Sequence, residues 1–277
     1  MSEAVARRSA AKALPIWWGD FHLAAGRTGR WRVGPLELWV HHGEREWRVL
    51  RRGEPAGDPG STEQSVDLDV DLPPEQEPLE IARYAFRATD GKLRVAPLLA
   101  DRPVVASPRM PLYVLPDEEA VLFVSSPVWL RFDVEEPPKL LQEVPSHRLS
   151  DTWFGTTREG ELGYALPTSA RLRVSELQRY PNLAVTAVRV RNQGIDALHL
   201  EKLKLPVPFL SLFDTADGGL WTEEALLVRG VGAGLASLDI EPGPPPQVTG
   251  ATLLAAPRQV VEKGRIIRAF SSWLDLV

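Results

Sequence analysis

Three aspartates at alternate positions, Asp67, Asp69 and Asp71, are the first residues whose type and spacing carry a chemical meaning. Carboxylate oxygens at such intervals suit hard cations, but a calcium loop needs a glycine after the third ligand and a distal glutamate. Here Leu72-Pro73 follows, and the interleaved Val66, Leu68, Val70 and Leu72 predict a strand whose carboxylates face water. The five histidines have no chelating interval. His41 and His42 are adjacent, so a strand sends them to opposite faces, and His22, His147 and His199 stand alone. The chain has no cysteine, which excludes thiolate metal sites, disulfides and cysteine nucleophiles. Nucleophile elbows, phosphate loops and dinucleotide fingerprints are absent from the sequence. Gly230-Val231-Gly232-Ala233-Gly234 lacks the following amphipathic helix on which a phosphate cradle depends. No cofactor and no metal are expected.

Asp133, Glu135, Glu136, Asp151, Glu159 and Glu161 supply carboxylates for glycosidase chemistry, which needs two of them facing across a cleft. One stretch concentrates such groups among aromatics and glycines. It runs His147-Arg148-Leu149-Ser150-Asp151-Thr152-Trp153-Phe154-Gly155, then Glu159-Gly160-Glu161-Leu162-Gly163-Tyr164-Ala165, and ends Thr168-Ser169-Ala170-Arg171. Two readings stand. In the structural one, a hairpin has Ser150 or Asp151 satisfying backbone donors at its start and Trp153 or Phe154 packed inward. In the functional one, Trp153 and Tyr164 stack on a ligand while Arg148, Asp151 and Arg171 hold its polar groups. His147, Arg148, Asp151, Trp153, Glu161, Tyr164 and Arg171 therefore form the candidate ligand or interaction surface, with a carbohydrate as one class of ligand.

Leu149 to Gly155, Gly160 to Ala165, and the run Asn192 to Phe213 with its Leu203-Lys204-Leu205-Pro206-Val207, resemble a family of archaeal and bacterial proteins classed as domain of unknown function number 432. The likeness extends from about Trp31 onward. That resemblance assigns no catalytic residue. It implies a protein partner, a small-conductance mechanosensitive channel, and hence a cytoplasmic binding or regulatory module.

The elements that must position these residues read as strands. Trp31 to Val33, Leu36 to Val40 and Glu46 to Leu50 alternate apolar and polar residues across turns at Gly34-Pro35 and His42-Gly43. Gln64 to Leu72 continues the pattern, and Ala82 to Arg87 and Lys92 to Leu98 flank Asp90-Gly91, a hairpin-type turn signal. Pro111 to Leu115, Ala120 to Ser125, Val128 to Val134, Leu183 to Arg191, Ala197 to Leu205, Phe209 to Phe213 and Leu220 to Arg229 follow. Val260 to Leu276 reads as a strand and one helical turn. With 25 prolines, few windows admit a long helix. The expected fold is all-β, an antiparallel β-sandwich in two lobes with little helix. Residues 1–15 form a tail or short helix, 16–140 an N-terminal β domain and 146–277 a C-terminal one, divided at the acidic, proline-bearing Glu135 to Pro145.

Composition narrows the class further. A net charge of −5, with both signs spread along 277 residues, lacks the basic stripe of a nucleic-acid binder. No apolar run reaches the length of a membrane span. Met1 to Pro15 carries Arg7, Arg8 and Lys12 without an apolar core, unlike a secretory signal. The cytoplasm is the expected compartment. The nine tryptophans serve either a β core or a stacking platform for sugars or bases, and the core is the commoner use.

Overall fold

The computed structural model describes residues 16–53, 60–74, 78–168, 170–230, 235–260, 262 and 264–271. The expected N-terminal helix, most of the glycine run Gly230–Gly234 and the helical turn before Leu276 lie outside the described residues. What is described is all-β, with two single 3-10 turns, Val174–Glu176 and Val207–Phe209. Among the described residues no helix is long and apolar enough to cross a membrane.

The alternating stretches near the N-terminus build one antiparallel sheet. Strands β2 (Arg27–Val33), β3 (Leu36–His42) and β4 (Glu46–Arg52) form a meander, with β5 (Gln64–Val70) beside β2 and β6 (Leu79–Ala85) beside β4. Its period of two is visible in burial: Trp31, Val33, Leu38, Val40, Trp47 and Val49 point inward. On the outer face Glu37 gathers Arg30, Arg32 and Arg52, and Arg30 and Arg52 each lie 5.6 Å from the centre of the Trp39 ring. A second antiparallel sheet, of β1 (Gly19–His22), β7 (Lys92–Leu98), β11 (Trp129–Val134) and β12 (Lys139–Pro145), meets the inner face. Phe21 of β1 and Phe132 of β11 approach Trp31 edge-on at 5.3 and 6.0 Å. Edge-to-face contact is the geometry that aromatic quadrupoles favour, and each such ring buried contributes roughly 2–3 kcal/mol from its area.

The rest of the chain forms two larger sheets and a ribbon. One mixed sheet has the order β13 (Ser150–Gly155), β14 (Gly160–Thr168), β8 (Val104–Pro108), β17 (Lys202–Leu205), β24 (Phe270–Ser271), with β14 parallel to β8. The other centres on β15 (Leu183–Asn192). Antiparallel β10 (Glu119–Pro127) lines one edge of β15, and β19 (Leu220–Thr222) and β20 (Glu224–Arg229) follow one another, parallel, along the other. β18 (Leu212–Asp214) and β22 (Thr252–Ala255) extend it beyond β19, and β21 (Leu235–Glu241) and β23 (Arg265–Arg268) beyond β20. The ribbon joins β9 (Leu112–Val114) to β16 (Leu198–Leu200). Strands from before and after Glu135–Pro145 thus share sheets, and one buried cluster runs from Trp17 to Phe270. A small satellite of Phe123, Val185, Ala187 and Trp221 sits beside it.

Two local expectations are corrected. Asp90-Gly91 does not close a hairpin, because β6 pairs with β4 while β7 pairs with β1 and β11. Gly91 is needed there for another reason: φ is +80° and an added Cβ would lie 2.3 Å from the Leu23 carbonyl. The even alternation expected through Asp71 is broken by a bulge, where the register to β2 shifts at Thr28/Gly29 and Asp69 takes φ of 60°. Leu68 is consequently 44% exposed, and Asp69 lies 3.7 Å from Arg27. Among the described residues, Trp17, Trp31, Trp47, Trp129 and Trp221 are buried in the core clusters, and Trp39 is buried on the outer face beneath Arg30 and Arg52.

Candidate functional site

The stretch from His147 to Arg171 folds as a hairpin. Trp153 Nε1 donates to the Thr156 carbonyl at 2.8 Å, and the Glu159 amide donates to Thr156 Oγ1 at 3.0 Å, which closes the turn. Gly155 turns at φ +120°, where a Cβ would meet the Glu159 carbonyl at 2.4 Å. Gly160 serves by its missing side chain, since a Cβ there would stand 2.5 Å from the Trp153 indole. The ring therefore lies flat on the neighbouring strand while remaining 54% exposed.

Cross-strand register sorts the candidate residues onto two faces. Asp151 pairs with Tyr164 and Trp153 with Leu162, so these four share one face, whereas Phe154 and Glu161 share the other. On the first face, Tyr164 donates its hydroxyl to Asp101 Oδ1 at 2.8 Å. Arg102 sits 5.5 Å from the centre of that ring and donates to Asp151 Oδ1 at 3.2 Å. Burial, reinforced by the Asp101 carboxylate, pushes the Tyr164 phenol up to about 12. At neutral pH the phenol is therefore protonated and donates to Asp101. Arg148, Asp151 and Tyr164 line a cavity of about 380 Å³ together with Arg51, Arg102 and Glu143. Glu143 is in turn held by Arg258, which donates to it at 2.7 Å and to the Leu99 carbonyl at 2.8 Å.

On the second face, Glu161 is ion-paired with Lys204 of β17, which reaches across β8 to meet it. Lys204 is buried, with its ammonium 5.9 Å from the centre of the Phe154 ring. Desolvation holds its pKa below the ordinary lysine value, with Glu161 opposing the shift and Arg265 and Arg268 adding to it. Both residues border a cavity of about 130 Å³ with Phe209 and Arg265.

His147 and Arg171 line neither of these. They border a third concavity, of about 470 Å³, with Arg109, Phe123, Gln178 and Tyr180. The structure thus distributes the predicted residues over three concavities and leaves Trp153 on the open hairpin. Arg102, Arg109 and Lys204 were absent from the sequence-derived set. Lys204, flanked by Leu203 and Leu205 in an apolar strand, did carry a signal: a cation in such a place needs a partner. No group of three or more metal-ligating side chains assembles among the described residues.

The chain is thus an all-β protein with strand-built concavities rimmed by paired charges and an exposed aromatic on an edge hairpin. The family described as protein of unknown function (DUF432) has a model that matches residues 17–274, and the chain belongs to that family. No curated protein and no solved structure matches the chain.

Proposed function

We propose that this protein is a non-enzymatic cytoplasmic binding module that engages a protein partner through the β13–β14 hairpin. The carrying observation is Trp153, 54% exposed beside Leu162 at 43%, on a hairpin whose outer strand, among the described residues, pairs on one side only. Tryptophan is among the residues enriched at the energetic centres of protein interfaces, and an unpaired strand edge offers backbone hydrogen bonds to a partner. Asp151 and Arg102 beside them supply the polar rim such interfaces carry. The partner class is a small-conductance mechanosensitive channel, which rests on the family resemblance. Tagged protein purified from membranes should bring the channel down, as identified by mass spectrometry, and Trp153→Ala should release it. Recovery of the unmodified chain without a reproducible partner overturns this reading.

The same exposed indole favours one second reading, a carbohydrate platform with Asp151 as hydrogen-bonding neighbour. Soluble oligosaccharides would then quench Trp153 fluorescence saturably, an effect lost in Trp153→Ala.

A further inference from the structure

The 470 Å³ concavity lies where the ends of β8 and β14 approach the outer edge of β10, and it combines an apolar floor with a cationic rim. Its floor is apolar: Phe123, Leu149, Leu166 and Leu183 line it, each buried to within 7% of complete. Its rim is cationic. Arg109 and Arg171 stand on backbone that is fixed, the Arg109 amide donating to Thr168 at 3.0 Å and Arg171 exchanging bonds of 2.8 and 3.0 Å with Phe123. Most guanidiniums among the described residues meet a carboxylate, as Arg94 meets Asp20 and Arg191 meets Glu119. Neither Arg109 nor Arg171 forms an ion pair among the described residues, and His147 stands on the same rim.

We infer that this concavity binds a small amphipathic anion, a molecule with one oxyanion head, carboxylate or phosphate monoester, on an apolar body. Guanidinium is the side chain suited to planar, two-point recognition of such heads. A single head is indicated because Glu176 also lines the rim and repels a second negative charge. The volume falls in the range of small-molecule sites, about 300–1,000 Å³. Neutral polar groups complete the lining. The Tyr180 hydroxyl donates to Gln178 Oε1 at 2.6 Å, which fixes that amide and leaves its NH₂ to donate elsewhere.

The test is isothermal titration of the full chain with octanoate and with octyl phosphate, both below micellar concentration, against inorganic phosphate and hexanol as controls. At least one amphiphile should bind saturably at one site, about tenfold or more tighter than either control, and the preferred amphiphile identifies the head. Arg109→Gln/Arg171→Gln, both at exposed positions, should weaken that binding about tenfold with the thermal melt unchanged. A second variant, Ser125→Trp, fills the concavity without touching the arginines and should abolish binding. The inference is overturned if neither amphiphile saturates by about 1 mM. It is equally overturned if the double variant binds as tightly as the parent, or if only anionic lipid vesicles are bound.

Discussion

Removing the carboxylate of Glu161 should destabilise this protein far more than removing the ammonium it pairs with. Lys204 is 5% exposed and Glu161 about half exposed, so the burden of desolvation falls on the lysine. Glu161→Ala strands a buried charge, for which breaking a buried pair costs about 3–5 kcal/mol, and the partial exposure of Glu161 brings the expectation to about 2–4 kcal/mol. Lys204→Met keeps the stem packed on Phe154 and removes the charge, and should fall within about 1 kcal/mol of the parent in either direction. The double variant should then resemble Lys204→Met, giving a coupling equal in size to the Glu161→Ala loss, about 2–4 kcal/mol. Urea unfolding at neutral pH measures all four. The pH dependence provides an independent check. Burial holds the folded-state pKa of Lys204 below 10.5. The unfolded chain therefore binds more protons between the two values, and the destabilising charge is absent above 10.5 and fully felt below the folded value. Stability should rise with pH across that window, more steeply in Glu161→Ala and not at all, from this source, in Lys204→Met. Additive single and double effects, or equal losses from both single variants, would refute the argument that Lys204 is the desolvated partner.

Further expectations follow from close approaches and from the Tyr164 network. Gly34→Ala should cost about 2 kcal/mol or more in urea unfolding, because φ is +60° and the new Cβ would lie 2.3 Å from the Asn182 side chain. Gly160→Val should lift Trp153 off its strand, which acrylamide quenching would report, while moving the thermal midpoint by only about 2–4 °C for each kcal/mol lost. Asp101→Asn should bring the Tyr164 phenol down from about 12 without reaching the ordinary value of 10.0, since burial is the larger cause, as followed by phenolate absorbance. With its pKa raised on folding, Tyr164 contributes stability that is intact below 10.0 and lost as pH rises through about 12. Asp101→Asn should therefore reduce that alkaline loss.

Much of the N-terminal sheet was legible because β2, β3 and β4 each bury one face, so the apolar residues recur at every second position. β8 was not, because Val104, Val105 and Ala106 are all buried and a strand enclosed on both faces shows no alternation. β12 was hidden by the charges and prolines that made Glu135 to Pro145 read as a boundary, yet Lys139–Pro145 is an edge strand, where such residues are tolerated. The site was legible as a neighbourhood and not as a constellation. Sequence closeness put Glu161 with Tyr164, whereas three steps along a strand place them on opposite faces. Arg102 and Arg109 enter from β8's two ends, and nothing in their local pattern marks where that strand docks.

The position of β8 between β14 and β17 also governs how the chain assembles as it is made. β8 ends at Pro108, but its parallel partner ends at Thr168 and its antiparallel partner at Leu205. At synthesis rates of roughly 5–20 residues per second, β8 waits about 5–20 s before both neighbours have been translated. The meander of β2, β3 and β4 needs no such delay, because its pairings are local. A nascent chain should therefore pass through a period with its first sheet formed and Val104-Val105-Ala106 still open on both edges, the interval in which mispairing between chains and chaperone capture compete with native closure.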